Sequence, residues 1–476
     1  MTHHEKCTQM FDHVINGKSI YIRIDEDVYK KQYNEYIPLY SDDTWITMSI
    51  LSDEMIDYDQ PLIFEPEKLP PDYYPYFISF QVQAHSIYQH FNRLSCDQWY
   101  CACFLSDSSD SNRIDSHDQI VLDGQLLTSA SPVFIRSGKV LIYGGVSSTI
   151  YKRLKQTKEV IRQKLNHEVI DKAEANTVFQ DFWRNESIQY IDCYNVGKGN
   201  VDHIQCETRS ILYDFGLDFD ASSSTTARIP KPRFPATDNI KTLTPNGVIL
   251  SHWDMDHILG CTYCNPKILT IPWIAPNYIN SASAYRLARY IQLRGTLYLV
   301  NTYPDPEHLA TFNASEYSVH LYQGAGEEKP ITPINCHGLL LELNIKKNND
   351  TVDILLAGDV PYSCMPNRIT HRRTPYHCIH VPHHCREMEL TNLKGIVNSA
   401  SGSDAIISEY RGKVKPKLSS SEKQHYAELV KLNCRTFFTT HRTDHLAKRR
   451  QASTVAVRID FTNPGDYTCE YQKKNK

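Results

Sequence analysis

The sequence predicts an α/β domain over residues 186–476, preceded by a β-rich domain over residues 1–148. Short apolar runs that end in polar clusters, such as "GVILSHWDMDH" and "VDILLAGD", alternate with helical stretches such as "SASAYRLARYIQL". Buried strands of α/β domains read as continuous apolar runs, and their sites form where strands end. The length of 476 residues also exceeds one ordinary core, so we expect more than one domain.

Residues 1–148 contain many short runs rich in Ile, Val, Tyr and Phe, including "KSIYIRI", "TWITMSIL" and "YFISFQVQ". Such residues favour strands, and segments such as "PEKLPPDYYP" between them favour turns. The histidines here stand singly, which is more typical of surface or core residues than of ligands. We expect a compact β-dominated domain that gates substrate or binds a protein partner.

Residues 149–185 repeat apolar side chains near helical spacing, with Lys and Arg on the opposite face. Ser147 or Ser148 suits the N-cap of such a helix. The pattern predicts a connecting helix packed on a neighbouring domain, with a dimerisation helix as the alternative. The oligomeric state stays open.

Composition excludes some classes of protein. A net charge of −4 is incompatible with a broadly basic nucleic-acid coat, although a local basic groove remains compatible. No apolar run approaches the roughly 18 residues that span a bilayer, and "MTHHEKCTQMFDHV" lacks the apolar segment of a signal peptide. We expect a cytoplasmic chain, without membrane association, whose 14 cysteines are reduced.

The segment from Gly247 to Gly260 carries the strongest functional signal, because four potential metal ligands follow an apolar run within six positions. Alternate residues of an extended segment point the same way, so His252 and Asp254 would face one ion. Asp256 and His257, turning out of the strand, would face a second ion. A hydroxide between the ions would be the nucleophile, and Asp256 would be the catalytic residue that orients it and shuttles its proton.

Two further strand ends supply ligands to the same site. "LLAGD" ends in Asp359, a carboxylate suited to bridging two ions, and "HVPHHC" offers His383 and His384, one of which would join the second ion. A site with this much carboxylate admits Mn²⁺ alongside Zn²⁺ as its two divalent ions.

Several segments resemble the metallo-β-lactamase superfamily and, within it, the hydrolase domain of ComEC-type competence proteins. In order along the chain they are "VGKGN" at 196–200, "LYDFG" at 212–216, "SHWDMDHILG" at 251–260, "NCHGLLL" from Asn335, "LLAGD", "VPHHCR", and "AIIS" at 405–408. Asp254, where the superfamily usually has histidine, is itself a ComEC-like feature. The resemblance covers roughly residues 186 to 445.

This resemblance implies an αββα sandwich with a two-metal site at one edge. It also implies hydrolysis of DNA or RNA by a soluble, stand-alone relative, in bacterial defence or nucleic-acid processing. His337 lies where the superfamily could place a ligand for the first ion. Of the paired histidines, the family motif favours His383 as the ligand of the second ion, with His384 beside it or facing substrate.

Departures from the family pattern concern substrate handling. Lys198 and Asn200 replace Gln and Asp, and Cys385 replaces Gly. Lys198 and Asn200 are therefore candidate substrate-binding residues, together with Arg411 and Lys413 of "RGKVKPK", which could steer a phosphate backbone. Because the site of the superfamily also serves acyl chemistry, the resemblance leaves open an acyl hydrolase acting on a lactone, thioester or amide. The departures at Asn200, Cys385 and Ser419 to Ser421 leave open a non-catalytic sensor or scaffold that binds nucleic acid or a partner.

Three residues near the motifs are expected to be structural. Asp214 of "LYDFG" is expected to support a ligand or form a turn. Cys261 and Cys264 form a lone CxxC without a second pair, which favours packing over zinc binding.

Overall fold

The chain divides into two compact units. The computed structural model describes residues 14, 19–24, 29–32, 35–38, 45–58, 62, 66–68, 78–90, 93–95, 98–106, 120–128, 134–197, 199–217, 237–262, 266–327, 333–348, 350–386, 388–397, 402–408, 420–439, 454–462 and 467–473. The first unit comprises the described residues up to His167 together with Asn280–Leu293, and the other described residues form the second unit.

The first unit is built around a β-barrel. Its strands are β1 Ile20–Ile24, β2 Tyr29–Gln32, β3 Glu35–Pro38, β4 Trp45–Leu51, β5 Ile78–Gln83, β6 Trp99–Ser106, β7 Ile120–Thr128 and β8 Phe134–Gly145. Strands β1-β4-β5-β7-β8-β6 close into a barrel, and β2 pairs with β3. Ile46, Met48 and Ile50 alternate along β4 and all enter the barrel core, as the two-residue period of a strand requires.

The described helices are α1 Asp53–Tyr58, α2 Ala84–Tyr88, α3 Ser148–Leu165, α4 Lys172–Phe182, α5 Thr237–Lys241, α6 Met255–Ile258, α7 Ala282–Arg294, α8 Pro333–Cys336, α9 Asn367–Thr370, α10 Leu393–Ile396 and α11 Ser420–Lys431. The segment predicted as one connecting helix over 149–185 is therefore two helices, α3 and α4. Ser147 caps α3 by accepting from the Ile150 backbone N–H at 3.3 Å. A capping box of Asp171 and Glu174 starts α4, which explains the break.

The boundary between the two units falls between α3 and α4, at His167. Leu154 of α3 packs into the barrel core, whereas Phe179 and Phe182 of α4 pack into the core of the second unit. Of the described helices, none combines the length and apolar character needed to cross a membrane.

The second unit contains two large sheets. Its strands are β9 Val169–Ile170, β10 Ile188–Tyr194, β11 Asp202–Cys206, β12 Ser210–Tyr213, β13 Gly247–Ile249, β14 Pro272–Pro276, β15 Thr296–Val300, β16 Glu307–Asn313, β17 Tyr317–Gln323, β18 Leu339–Lys347, β19 Asp350–Leu356, β20 Cys378–His380, β21 Asp404–Ile407, β22 Arg435–Phe438, β23 Thr454–Asp460 and β24 Thr468–Lys473. Among the described residues one sheet has the order β24-β23-β10-β11-β12-β13-β14-β15-β9 and the other the order β16-β17-β18-β19-β20-β21-β22.

The two sheets face each other across one apolar core. Ile204 and Ile249 from the first sheet share this core with Leu341 and Ile354 from the second. Neighbours β12, β13, β14 and β15 run parallel, as do β19, β20, β21 and β22. The carboxyl ends of these parallel strands are where the polar clusters of the sequence lie.

The seven-stranded sheet is buried on both faces. Leu339 and Leu341 of β18 enter the core between the sheets, whereas Leu340 lies in a second core on the outer face with Leu429 of α11. Burial on both faces explains the uninterrupted apolar run at the start of β18. The second unit is therefore a mixed α/β structure with facing sheets.

Candidate metal centre

The ligand motif changes from strand to helix in its middle. Strand β13 ends at Ile249, and Asp254, with extended backbone angles, is the N-cap of the short helix α6. His252 and Asp254 thus precede the helix, while Asp256 and His257 lie within it. This change of direction is the one predicted from the sequence.

The paired histidines follow β20 in a strained turn. His383, His384 and Cys385 adopt consecutive positive φ values of 50°, 53° and 65°. Left-handed backbone at residues other than glycine costs on the order of 1–3 kcal/mol each, and such strain concentrates at functional sites. Gly358, just before Asp359, is also left-handed at φ +53°.

Asp359 lies at the centre of the cluster. Its Oδ1 is 3.2 Å from His257 Nε2 and 3.6 Å from His384 Nε2. Its Oδ2 is 3.9 Å from His252 Nε2 and 3.9 Å from His383 Nε2. The two oxygens of one buried carboxylate therefore face two different pairs of imidazoles.

One further carboxylate lies beside each of these two pairs of imidazoles. Asp256 Oδ2 lies 3.2 Å from His384 Nε2, and Asp254 Oδ2 lies 3.5 Å from His252 Nε2. We call the second-ion group the four residues whose ligand atoms all lie within 4.8 Å of one another: Asp256, His257, Asp359 and His384. We call the first-ion group the residues around the other oxygen of Asp359: His252, Asp254, Asp359 and His383.

The geometry assigns the paired histidines differently from the family motif. His384, and not His383, lies with Asp256 and His257, while His383 lies with His252 at the other oxygen of Asp359. His337 lies outside both groups, and its ring stacks on Tyr278 with centroids 5.5 Å apart. The left-handed backbone of this turn separates the two imidazoles. A pair of histidines in the sequence does not predict such a turn.

Asn200 contributes to the site through its backbone. Its N–H donates to the Asp256 carbonyl at 3.3 Å, and its carbonyl accepts from Gly216 N–H at 2.8 Å. A Cβ at Gly216 would lie 1.5 Å from the Asp256 carbonyl oxygen, so only glycine permits this approach. These contacts join "VGKGN" and "LYDFG" to the ligand motif.

The other residues named from the sequence are one packing cysteine and four residues that the structure does not describe. Cys261 is buried, as expected for a packing cysteine. The remaining sequence candidates lie outside the described residues: Lys198, Cys264, Arg411 and Lys413.

Asp214 and Ser251 make hydrogen-bond contacts with two of the candidate ligands, His257 and His252. Asp214 Oδ2 accepts from His257 Nδ1 at 2.7 Å and from the Ser251 hydroxyl at 2.8 Å, while its Oδ1 accepts from the Ser251 N–H at 2.6 Å. Ser251 Oγ also lies 2.9 Å from His252 Nδ1. Asp214 is thus a supporting residue, as predicted. Ser251 was missed, although its place immediately before His252 was a usable signal.

Electrostatics favour positive charge at the centre. Burial alone would lower the pKa of His257, but Asp359 and Asp214 raise it well above its usual value. Burial would raise the pKa of Asp359, yet His257 and His384 hold it well below its usual value. At His383 burial prevails and lowers the pKa to about 3, so its imidazole is neutral at pH 7 and can donate a lone pair.

The residues fit divalent ions. His252 Nε2, His257 Nε2 and Asp359 Oδ1 are buried atoms that have no hydrogen-bond partner in the described chain. Within the same described residues, the carboxylates of both groups have only histidines as ion-pair partners. Buried carboxylates and orphaned imidazole nitrogens that converge in this way need a cation to offset their cost.

No family model and no curated protein matches the sequence. Solved structures to which the chain is similar include the metallo-β-lactamase fold protein YhfI from Bacillus subtilis, at 11% identity over 52% of this chain and 96% of that one, with a TM-score of 0.27. A diphosphatase from the PhnP family is 11% identical over 56% of this chain and 87% of its own, with a TM-score of 0.27. The metallo-β-lactamase GOB-18 from Elizabethkingia meningoseptica is 14% identical over 53% and 88%, with a TM-score of 0.23.

Proposed function

We propose that the chain is a metal-dependent hydrolase of the metallo-β-lactamase fold, and that its strand-end cluster holds two divalent ions, Zn²⁺ or Mn²⁺. The observation that carries the proposal is the position of Asp359, whose two oxygens face the two ion groups separately. When bound, such ions polarise a carbonyl or phosphoryl oxygen and lower the pKa of water.

The open side of the cluster indicates where substrate arrives. The side chains of Asp254 and Asp256 are 32% and 31% exposed, whereas that of Asp359 is 3% exposed. Water and substrate therefore reach the cluster beside Asp254 and Asp256. Asp256 is the carboxylate of the second-ion group that can hold the attacking water and accept its proton.

The favoured substrate is a phosphodiester of DNA or RNA. The ComEC-like order of motifs supports this choice, and a pair of ions on a shared carboxylate suits a phosphoryl group, whose attacking and leaving oxygens both need stabilisation. In this proposal the protein acts in the cytoplasm, and its N-terminal domain gates substrate or binds a protein partner.

Cleavage of single- and double-stranded DNA and RNA tests the proposal, using the full chain loaded with Mn²⁺ or Zn²⁺. We expect cleavage by the parent and by Asp350→Asn, a control at the exposed start of β19. Asp256→Ala should lower the rate about 10²–10⁴-fold, the usual contribution of a general base.

The same assays separate the phosphodiesterase from the two alternative functions. Absence of cleavage of any nucleic acid or simple phosphodiester by the ion-loaded parent would overturn the phosphodiesterase assignment. Hydrolysis of a reporter ester in that case would identify an acyl hydrolase. Nucleic-acid binding without hydrolysis, unchanged in Asp256→Ala, would identify a sensor or scaffold.

A further inference from the structure

A second cluster of potential metal ligands lies between the two sheets of the second unit. Cys193 on β10, Asp202 on β11 and His380 on β20 bring their ligand atoms within 4.8 Å of one another. Their exposures are 0%, 0% and 2%. β10 and β11 belong to one sheet and β20 to the other, so the cluster spans the core.

Hydrogen bonds orient the imidazole of this cluster. His380 Nδ1 lies 2.8 Å from Asp202 Oδ2, and Nε2 lies 2.7 Å from Ser408 Oγ. In the tautomer whose Nε2–H donates to Ser408 Oγ, the Nδ1 lone pair points toward Asp202. A hydrogen bond of this kind at the far nitrogen is how proteins orient a ligating histidine.

Charge balance indicates what the cluster binds. Asp202 Oδ1 is buried and has no hydrogen-bond partner within the described chain, and the ion-pair partner of this carboxylate there is His380. The cluster lies in the apolar core that contains Ile191, Ile204 and Ile406, with the Ser408 hydroxyl and the Cys469 thiol as polar neighbours. A divalent ion with one thiolate, one carboxylate and one neutral imidazole has no net charge, which is the condition for placing it in such a core.

We propose that Cys193, Asp202 and His380 supply three protein ligands of a structural zinc site, separate from the hydrolytic centre, that joins the two sheets. Cysteine, histidine and aspartate are all ligands of Zn²⁺, at about 2.0–2.3 Å. As the Zn–S bond forms, the Cys193 thiol releases its proton to solvent. With Zn²⁺ bound at Nδ1, the His380 Nε2–H would donate to the Ser408 hydroxyl.

Cobalt substitution tests this site without any assay of activity. Neither ion group of the hydrolytic centre contains cysteine, so a near-ultraviolet thiolate-to-cobalt charge-transfer band that depends on Cys193 reports the new site. We expect the band in the parent and its loss in Cys193→Ser. Cys206→Ser is the matched control, because Cys206 is a buried cysteine of the same core outside the cluster.

Metal content gives a second readout. Zinc-loaded parent and Cys206→Ser should each hold one ion more per chain than Cys193→Ser. Absence of the band from the parent itself would overturn the proposal even if the variants fail to fold. Persistence of the band in folded Cys193→Ser, or equal metal content in all three proteins, would overturn it as well.

Discussion

Replacing Asp359 with asparagine should lower metal-dependent hydrolysis about 10³-fold and reduce the number of tightly held ions per chain. Asparagine keeps the size of the side chain but has one oxygen and no charge, so it cannot serve both ion groups. A centre of this type contributes several kcal/mol to transition-state stability. A loss of roughly 4 kcal/mol corresponds to about three factors of ten at 1.36 kcal/mol each. Steady-state rates and elemental analysis of the same preparations measure the two effects.

Asp350→Asn is the matched control for this variant. It removes a carboxylate from the opposite end of β19, the strand that leads to Asp359, and Asp350 is exposed. The control should retain the parental rate and ion content. Parental hydrolysis by a folded Asp359→Asn protein would show that this carboxylate does not connect the two ion groups.

The second large effect, on metal affinity, is expected from a substitution at Asp214, which hydrogen-bonds to the candidate ligand His257. Asp214→Asn should weaken metal binding about 10- to 100-fold, the usual cost of removing a carboxylate that orients a ligating histidine. The cause is the loss of a charged acceptor for His257 Nδ1 and for the Ser251 hydroxyl. Metal titration measures the dissociation constant, and saturating metal should restore most of the turnover.

Asparagine is the appropriate replacement because Asp214 has a φ of 59°, which asparagine tolerates better than most residues. Ser251→Ala should weaken metal binding in the same direction, since the Ser251 hydroxyl lies between Asp214 and His252. Unchanged metal affinity in both variants would show that this pair is structural and does not orient the ligands.

The clustering of the candidate ligands was predictable because they lie just beyond the ends of buried strands. A run such as "GVILSHWDMDH" contains both the apolar strand and the polar residues that follow it. The sequence alone therefore places these polar residues at the carboxyl end of a strand. The same logic identified Asp359, which follows β19. The apolar runs also predicted buried strands, whereas the facing sheets of the second unit were implied by the family resemblance alone.

Other features depend on backbone angles or on distant pairings. Three successive left-handed residues decide that His384, not His383, joins Asp256, and no side-chain pattern signals them. The break between α3 and α4 depends on a capping box inside a region of nearly continuous helical spacing. Cys193 and His380 meet only because β10 and β20 lie in facing sheets.

Electron paramagnetic resonance of the Mn²⁺-loaded chain tests the central claim most directly, because it requires no knowledge of the substrate. Two Mn²⁺ ions that share a carboxylate are magnetically coupled, and their spectrum differs from that of isolated ions. At saturating metal we predict the coupled spectrum for the parent and the spectrum of isolated ions for Asp359→Asn. Only isolated ions in the fully loaded parent would contradict a two-ion centre bridged by Asp359.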